Sequence, residues 1–415
     1  MKRLMLAAAA LLLACGAAVA VLVSHGRGHG HGHRTVGVAP PPPVTTRRTP
    51  PRPPAFSWPT YGFDPGRAHA PSGLRLRPPF RRVWAAFADS SFVEFPPVLS
   101  QGRLFFGTNH GLVLALDART GRIAWRRSFP GCVASSPAVA SGIVYLGFMD
   151  PPPCTGTAPS VLVALDARRG QTLWRVRTGP IESSPLVASG LVYFGSWDGR
   201  VYAVDARTGR VRWSFATQDR VKGGVALADG LVFAGSYDGR LYALDARSGR
   251  LRWSAGDLGG LYATPAVAAG RVVVGSTDGS IYAFAARDGR PLWTRRTGSF
   301  VYAAAAIAGG TVYVGSYDHR LYALAASSGA VRWTYDAGAP ISGAATVLDG
   351  LVYFSTCGSC SKYESNPGAR RTFAVDARTG RLVWRFADGE YSPVIADRSR
   401  IYLTGYTTVY ALAPA

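Results

Sequence analysis

Cys357-Gly-Ser-Cys360 has the spacing of a dithiol that opens and closes a disulfide, chemistry that needs the first sulfur held as a thiolate, usually at a helix start. The following stretch, Ser361-Lys-Tyr-Glu-Ser-Asn-Pro367, offers no such helix. A local structural bridge is therefore expected, and Cys132 and Cys154, which fall in one repeat, are expected to form a second. Four of the five cysteines lie beyond the first 23 residues, an even number that suits an oxidising compartment. Glutamate is scarce, at Glu94, Glu182, Glu364 and Glu390. Glu94 and Glu390 are candidates for a calcium site through hard carboxylate oxygens, against the plainer reading of solvated loop acids. His25, His29, His31 and His33 could chelate a transition metal, but nothing later in the chain supplies a matching ligand set. No nucleophile, base and orienting group can be aligned, so no catalytic residue is assigned.

Those residues hang on a chain with a distinctive start. Met1-Lys2-Arg3 and the apolar run Leu4 to Val23 form an export signal or membrane anchor over residues 1–23. Cleavage after Ala18-Val19-Ala20, retention in the bilayer and lipidation at Cys15 all stay open. Residues 24–57, rich first in His and Gly and then in Pro, cannot bury a core and read as a disordered stalk. The formal charge of +22 rests on arginine, with lysine only at Lys2, Lys222 and Lys362. Either the charge attracts an anionic partner such as wall polymer or lipid headgroups, or arginine stands wherever a solvated cation would serve. Export, and the lack of a basic cluster interleaved with aromatics, argue against nucleic acid.

A tryptophan closes the same phrase at Trp84, Trp125, Trp174, Trp213, Trp253, Trp293, Trp333 and Trp384, in copies such as GLVYFGSWDGRVYAVDARTGRVRW and GLVFAGSYDGRLYALDARSGRLRW. A unit of about 40 residues with several alternating apolar runs is the mark of a β-propeller blade. Asp198-Gly199 and its equivalents predict two-residue hairpins with positive φ between second and third strands. Asp117, Asp166, Asp205, Asp245 and Asp376 open polar turns and are read as turn formers. Each indole is expected to fill the seam to the next blade. First strands are counted near Pro97, Pro137, Pro185, Val225, Pro265, Ala305, Ala345 and Pro393, their prolines tolerated on an unpaired edge at the central channel. The last blade stops at Val409-Tyr410-Ala411-Leu412, and Pro79 to Phe87 is a fourth-strand phrase with no blade before it. The fold predicted is all-β, an eight-bladed propeller of four-stranded antiparallel blades, closed by an N-terminal strand completing the last blade. It occupies residues 58–415, with the ring from about 79.

With the phrase Tyr-Ala-Val/Leu-Asp-Ala-x-Thr/Ser-Gly-x-x-x-Trp, and with Trp58-Pro-Thr-Tyr-Gly-Phe-Asp64 ahead of the ring, the chain from about 58 to 415 resembles the pyrroloquinoline-quinone (PQQ) type propeller repeat. The resemblance implies one of two functions. One is that of quinoprotein alcohol and glucose dehydrogenases, which use PQQ with calcium. The other is that of non-catalytic propellers such as the lipoprotein of the outer-membrane β-barrel assembly machinery. Dehydrogenases of this type are longer, build a cofactor chamber from insertions and often carry adjacent cysteines under the quinone. Here nearly all the length is blades, no cysteines are adjacent, and the family's calcium set of Glu, Asn and Asp has no match residue by residue.

Blade connectivity sorts the loops onto two faces. The bottom turns carry an arginine excess. The top links carry Trp197, Tyr237, Tyr262, Phe300, Tyr302, Tyr317 and Tyr391, rigid rings suited to docking a peptide or glycan, although several could instead pack against the adjacent blade. The expectation is a monomeric, non-enzymatic scaffold at the cell surface or in the periplasm, anchored or secreted, binding a protein or cell-envelope polymer through its top loops without a cofactor. The alternative is a PQQ- and calcium-dependent dehydrogenase of alcohols or sugars.

Overall fold

The computed structural model describes residues 56–87, 93, 95–358, 360, 366–391 and 394–415; the leader, the stalk up to residue 55, Glu94 and Glu364 lie outside them. Among the described residues no helix is long and apolar enough to cross a membrane. Eight antiparallel sheets of four strands make the ring. Blade 3 runs outward from the axis as Leu186–Ala188, Leu191–Ser196, Arg200–Asp205 and Val211–Ala216. Its second strand is buried on both faces because neighbouring sheets cover both, whereas its outermost strand alternates exposed and covered positions. The link between second and third strands departs from the expected two-residue hairpin. It spans Trp197 to Gly199, and of Asp198 and Gly199 only the glycine takes positive φ, 74°. Asp198 instead accepts the Tyr202 hydroxyl at 2.7 Å.

The seams between blades repeat one contact. Trp213 is 8 % exposed, and its Nε1 donates to the Ala246 carbonyl of the next blade at 3.0 Å. The ring lies under the turn at Gly249, where φ is +70° and a Cβ would fall 2.6 Å from the indole, so only glycine fits. Trp84, Trp125, Trp174, Trp253, Trp293 and Trp333 make the same bond to Ala118, Ala167, Ala206, Ala286, Ala326 and Ala377. At the eighth seam there is no partner turn, because the outermost strand of that blade is Phe80–Phe87 and is not joined by a turn to its neighbour Thr408–Pro414, and Trp384 packs at 84° to Phe80 with ring centres 5.3 Å apart. Phe80–Phe87 pairs antiparallel with Thr408–Pro414, from Phe80 opposite Pro414 to Phe87 opposite Thr408. The two incomplete phrases of the sequence therefore share blade 8.

The segment from Trp58 to His69 winds across the channel. Trp58 pairs with Leu99 of blade 1. Further carbonyls accept inner-strand amides in turn: Pro59 from Val139, Pro65 from Leu227, Gly66 from Val267, Ala68 from Ile307 and His69 from Val347. The inner edge, expected to be unpaired, thus gives one amide per blade to a plug in six of the eight blades. Arg67 anchors the plug, wholly buried. Its guanidinium donates to the carbonyls of Val225 at 3.0 Å, Ser184 at 2.9 Å and Pro185 at 3.1 Å, to Thr60 Oγ1 at 2.7 Å, and to the Tyr61 carbonyl. Burial brings its pKa down to about 10, which still leaves it charged.

Truncating a seam removes both the ring and its bond. Trp213→Ala is expected to destabilise the ring by ~3–5 kcal/mol in equilibrium urea unfolding; a cost below ~1 kcal/mol would mean that the indole does not hold the seam.

Candidate functional site

Two turns mark the bottom of each of the first seven blades and bind one another, as where Ala206 N donates to the Gly190 carbonyl. The opposite end, the top, carries the links from Trp197 to Gly199 and between blades. There the axis opens as a funnel over the plug, with Tyr61 as its floor and Phe95, Glu182, Lys222, Tyr262, Tyr302 and Tyr391 on its walls. Tyr61 is held edge-on to His69 at 4.8 Å. His69 is fully buried, its ring nitrogens meet no hydrogen-bond partner, and burial beside Arg67 drives its pKa down to about 3, so it is neutral.

Glu182 is the polar centre of the wall. Its side chain is 12 % exposed and stands 3.9 Å from Lys222 Nζ. Trp197 Nε1 donates to Oε2 at 3.0 Å and the Tyr262 hydroxyl to Oε1 at 2.5 Å. Burial raises the Glu182 pKa more than Lys222 and these donors lower it, and burial likewise lowers that of Lys222. The Lys222 ammonium lies 3.9 Å from the Trp197 ring centre and 5.1 Å from that of Tyr237, a cation held by aromatic faces as well as by its carboxylate. Gly223, next to it, has no room for a Cβ, which would sit 2.5 Å from the Tyr262 carbonyl.

From this pair the aromatic rings run on around the mouth. Tyr237 meets Tyr262 at 6.5 Å, Tyr262 meets Tyr302 at 4.9 Å, and Tyr302 meets Tyr317 at 5.0 Å and Phe300 at 5.8 Å. The structure thus brings together six of the seven aromatic candidates, Trp197 through Tyr317, and sets Tyr391 on the same funnel. Phe300 is 48 % exposed at the rim. Glu182 is no solvated loop acid but a largely covered ion-pair partner. Sequence reasoning passed over its pairing with Lys222, yet a signal existed: Lys222 is the single lysine between residues 3 and 361 of a chain that otherwise uses arginine. Tyr61 and Arg67 carried no such signal.

Glu390 is buried and ion-paired with Arg370, Nε to Oε2 2.9 Å, while Glu94 lies outside the described residues. The two disulfides form as expected, Cys132 to Cys154 with Cα atoms 6.0 Å apart and Cys357 to Cys360 at 5.6 Å. As it stands the funnel does not fit a three-ring quinone. With the side chains where they stand, the space it leaves is about 40 Å³, room for roughly three waters, where small-molecule sites run to ~300–1,000 Å³. Among the described residues no three His, Cys, Asp or Glu side chains cluster as metal ligands would. Glu182 thus accepts from Trp197 and Tyr262 and faces the Lys222 ammonium, so that the wall presents ring faces beside a sheltered cation.

Ring, seams and axis define an eight-bladed PQQ-type propeller. The family model described as "Outer membrane protein assembly factor BamB" matches residues 81–214, 197–304 and 296–414, and the chain belongs to that family. Among curated proteins it is similar to the dehydrogenase subunit of the quinone alcohol dehydrogenase of Komagataeibacter europaeus, at 29% identity over 158 residues, 31% of this chain and 20% of that protein. The chain therefore matches over only about a fifth of that relative's length. Among solved structures, BamB from Moraxella catarrhalis superposes with a TM-score of 0.65 at 18% identity, covering 80% of this chain and 99% of that one. The quinohemoprotein alcohol dehydrogenase of Comamonas testosteroni gives 0.69 at 16%, covering 86% and 80%. At such identities both likenesses speak for the fold.

A raised carboxyl pKa in the folded state means that the ring holds a proton the unfolded chain has lost, from the ordinary value of 4.5 up to the raised one, and stability falls as pH rises through that window. In urea unfolding from about pH 4 to about pH 8, the stability of the wild type relative to Glu182→Gln is expected to decline with rising pH. A relative stability that grows instead would show a carboxylate held ionised by Lys222.

Proposed function

We propose that this chain is an extracytoplasmic, non-enzymatic, monomeric propeller that binds a segment of a protein or cell-envelope polymer in its top funnel. The observation that carries this reading is the run of neighbouring rings from Tyr237 to Tyr317, joined to Trp197 through the Lys222 ammonium and with Phe300 exposed at the rim, around a mouth closed below by the plug. Rigid aromatic faces bury area at little entropic cost, and the sheltered Lys222–Glu182 pair offers a polar handle beside them. The export-type N-terminus, the bridged cysteines and membership of a family described as an outer membrane assembly factor support a place outside the cytoplasm.

A quinoprotein dehydrogenase is the second reading, favoured by the curated relative, which is a quinone-dependent alcohol dehydrogenase subunit. It would require the funnel to open well beyond its present volume.

For the binding reading, immobilised wild-type chain and a Phe300→Ser/Tyr302→Ala variant are exposed to solubilised native envelope, and retained proteins and glycans are quantified. Retention of the specific ligand is expected to drop at least about tenfold in the variant. Equal retention by both would remove the funnel from consideration as the binding site.

A further inference from the structure

The bottom face presents a pattern that the funnel does not explain. In blade 4 the turn from Asp245 to Arg250 spends its carboxylate internally: Asp245 Oδ1 accepts from the Ser248 amide at 2.9 Å and hydroxyl at 2.8 Å. That hydroxyl bond, the largest influence, holds the Asp245 pKa below its ordinary value. Arg247 and Arg250 are left exposed, and none of the ion pairs among the described residues involves them. Immediately after the second arginine, at the foot of the outermost strand, comes Leu251, 47 % exposed. Blade 3 repeats the set with Arg207, Arg210 and Val211, 44 % exposed, and Ile123 and Leu382 hold the equivalent place in blades 1 and 7 at 51 % and 46 %. In blades 3 and 4 the bottom rim thus sets exposed guanidinium groups outside any ion pair beside bare aliphatic side chains.

The chain enters the ring at this same face. Phe56 sits in a depression lined by Gly102, Ala118, Asp397 and Ser399, all in or beside bottom turns. In sequence it is preceded by the spacer Ser24 to Ala55 and the apolar run Leu4 to Val23. A spacer of that length reaches ~30 Å as a coil and ~100 Å fully extended.

We propose that the bottom face docks on a bilayer surface rich in anionic lipid headgroups, leaving the funnel turned away from the membrane. A wall polymer or nucleic acid would use the arginines but has no place for exposed aliphatics such as Val211 and Leu251. The boundary between headgroups and acyl chains takes both, the cations by attraction to negative lipid and the aliphatics by shallow burial. Arginine suits the task because its fork bonds phosphate oxygens in pairs. A tether at the same face would keep the local concentration high, so that weak individual contacts suffice.

The test uses the full chain reconstituted into vesicles of phosphatidylcholine alone or mixed with phosphatidylglycerol, reading energy transfer from protein tryptophans to a dansyl headgroup label. Transfer is expected to rise with phosphatidylglycerol and to fall with salt. In a variant with Arg207, Arg210, Arg247 and Arg250 replaced by Ser, the constant for docking on the mixed vesicles is expected to fall at least about tenfold with an unchanged melting temperature. Ser at four top-face positions, Arg177, Arg200, Arg296 and Arg320, is expected to leave docking intact. Equal losses from both variants, no dependence on phosphatidylglycerol, or a bottom-face loss confined to binding of a soluble polyphosphate would each overturn the proposal.

Discussion

One contact, an indole slid beneath a glycine turn with its N–H on the neighbouring carbonyl, recurs at seven of eight seams and sets the geometry of everything else. Blades are wedges, and wedges that meet through the same bond at the same angle must close into a ring. Gly249 over Trp213 shows how narrow the tolerance is, with no space for a single carbon between turn and ring. At the eighth seam, where no such turn exists, Phe80 and the paired strands Phe80–Phe87 and Thr408–Pro414 take over. Closure by strand pairing leaves no free sheet edge at the junction, which protects both the ring and its solubility.

The axis is governed by a different constraint. Inner strands leave amides pointing into the channel, and a buried amide without a partner costs about as much as a lost hydrogen bond. The Trp58 to His69 segment answers that need blade by blade, and Arg67 satisfies the carbonyls that remain between blades 3 and 4. Because the plug fills the lower channel, what would be a through-pore becomes a blind funnel. Its depth, its tyrosine floor and the shelter of Lys222 and Glu182 all follow from that closure.

Much of the ring was legible because its causes are local and repeated. Tryptophan spacing announced the blades, and two unfinished phrases announced the closure. The rim aromatics could be placed on one face by counting links. The plug was not legible because it binds through backbone carbonyls, which every residue possesses, so that Pro59, Gly66 and Ala68 look like any loop. Arg67 gave no warning either, since arginine is common throughout the chain and burial is a property of the assembled ring. The pairing of Glu182 with Lys222 joins successive inter-blade links, a relation that only the closed ring creates, and the hairpins were misjudged by one residue because a single residue, Gly199 or its counterpart such as His319, supplies the left-handed turn.

The proposed binding role sets the funnel apart from a cofactor chamber. Titrating the purified chain with PQQ in the presence of Ca²⁺, following quinone absorbance together with dye-linked oxidation of alcohols and sugars, tests this most directly. The account predicts no saturable binding and no turnover above the unloaded protein. Stoichiometric PQQ binding with turnover that Glu182→Gln abolishes would contradict it.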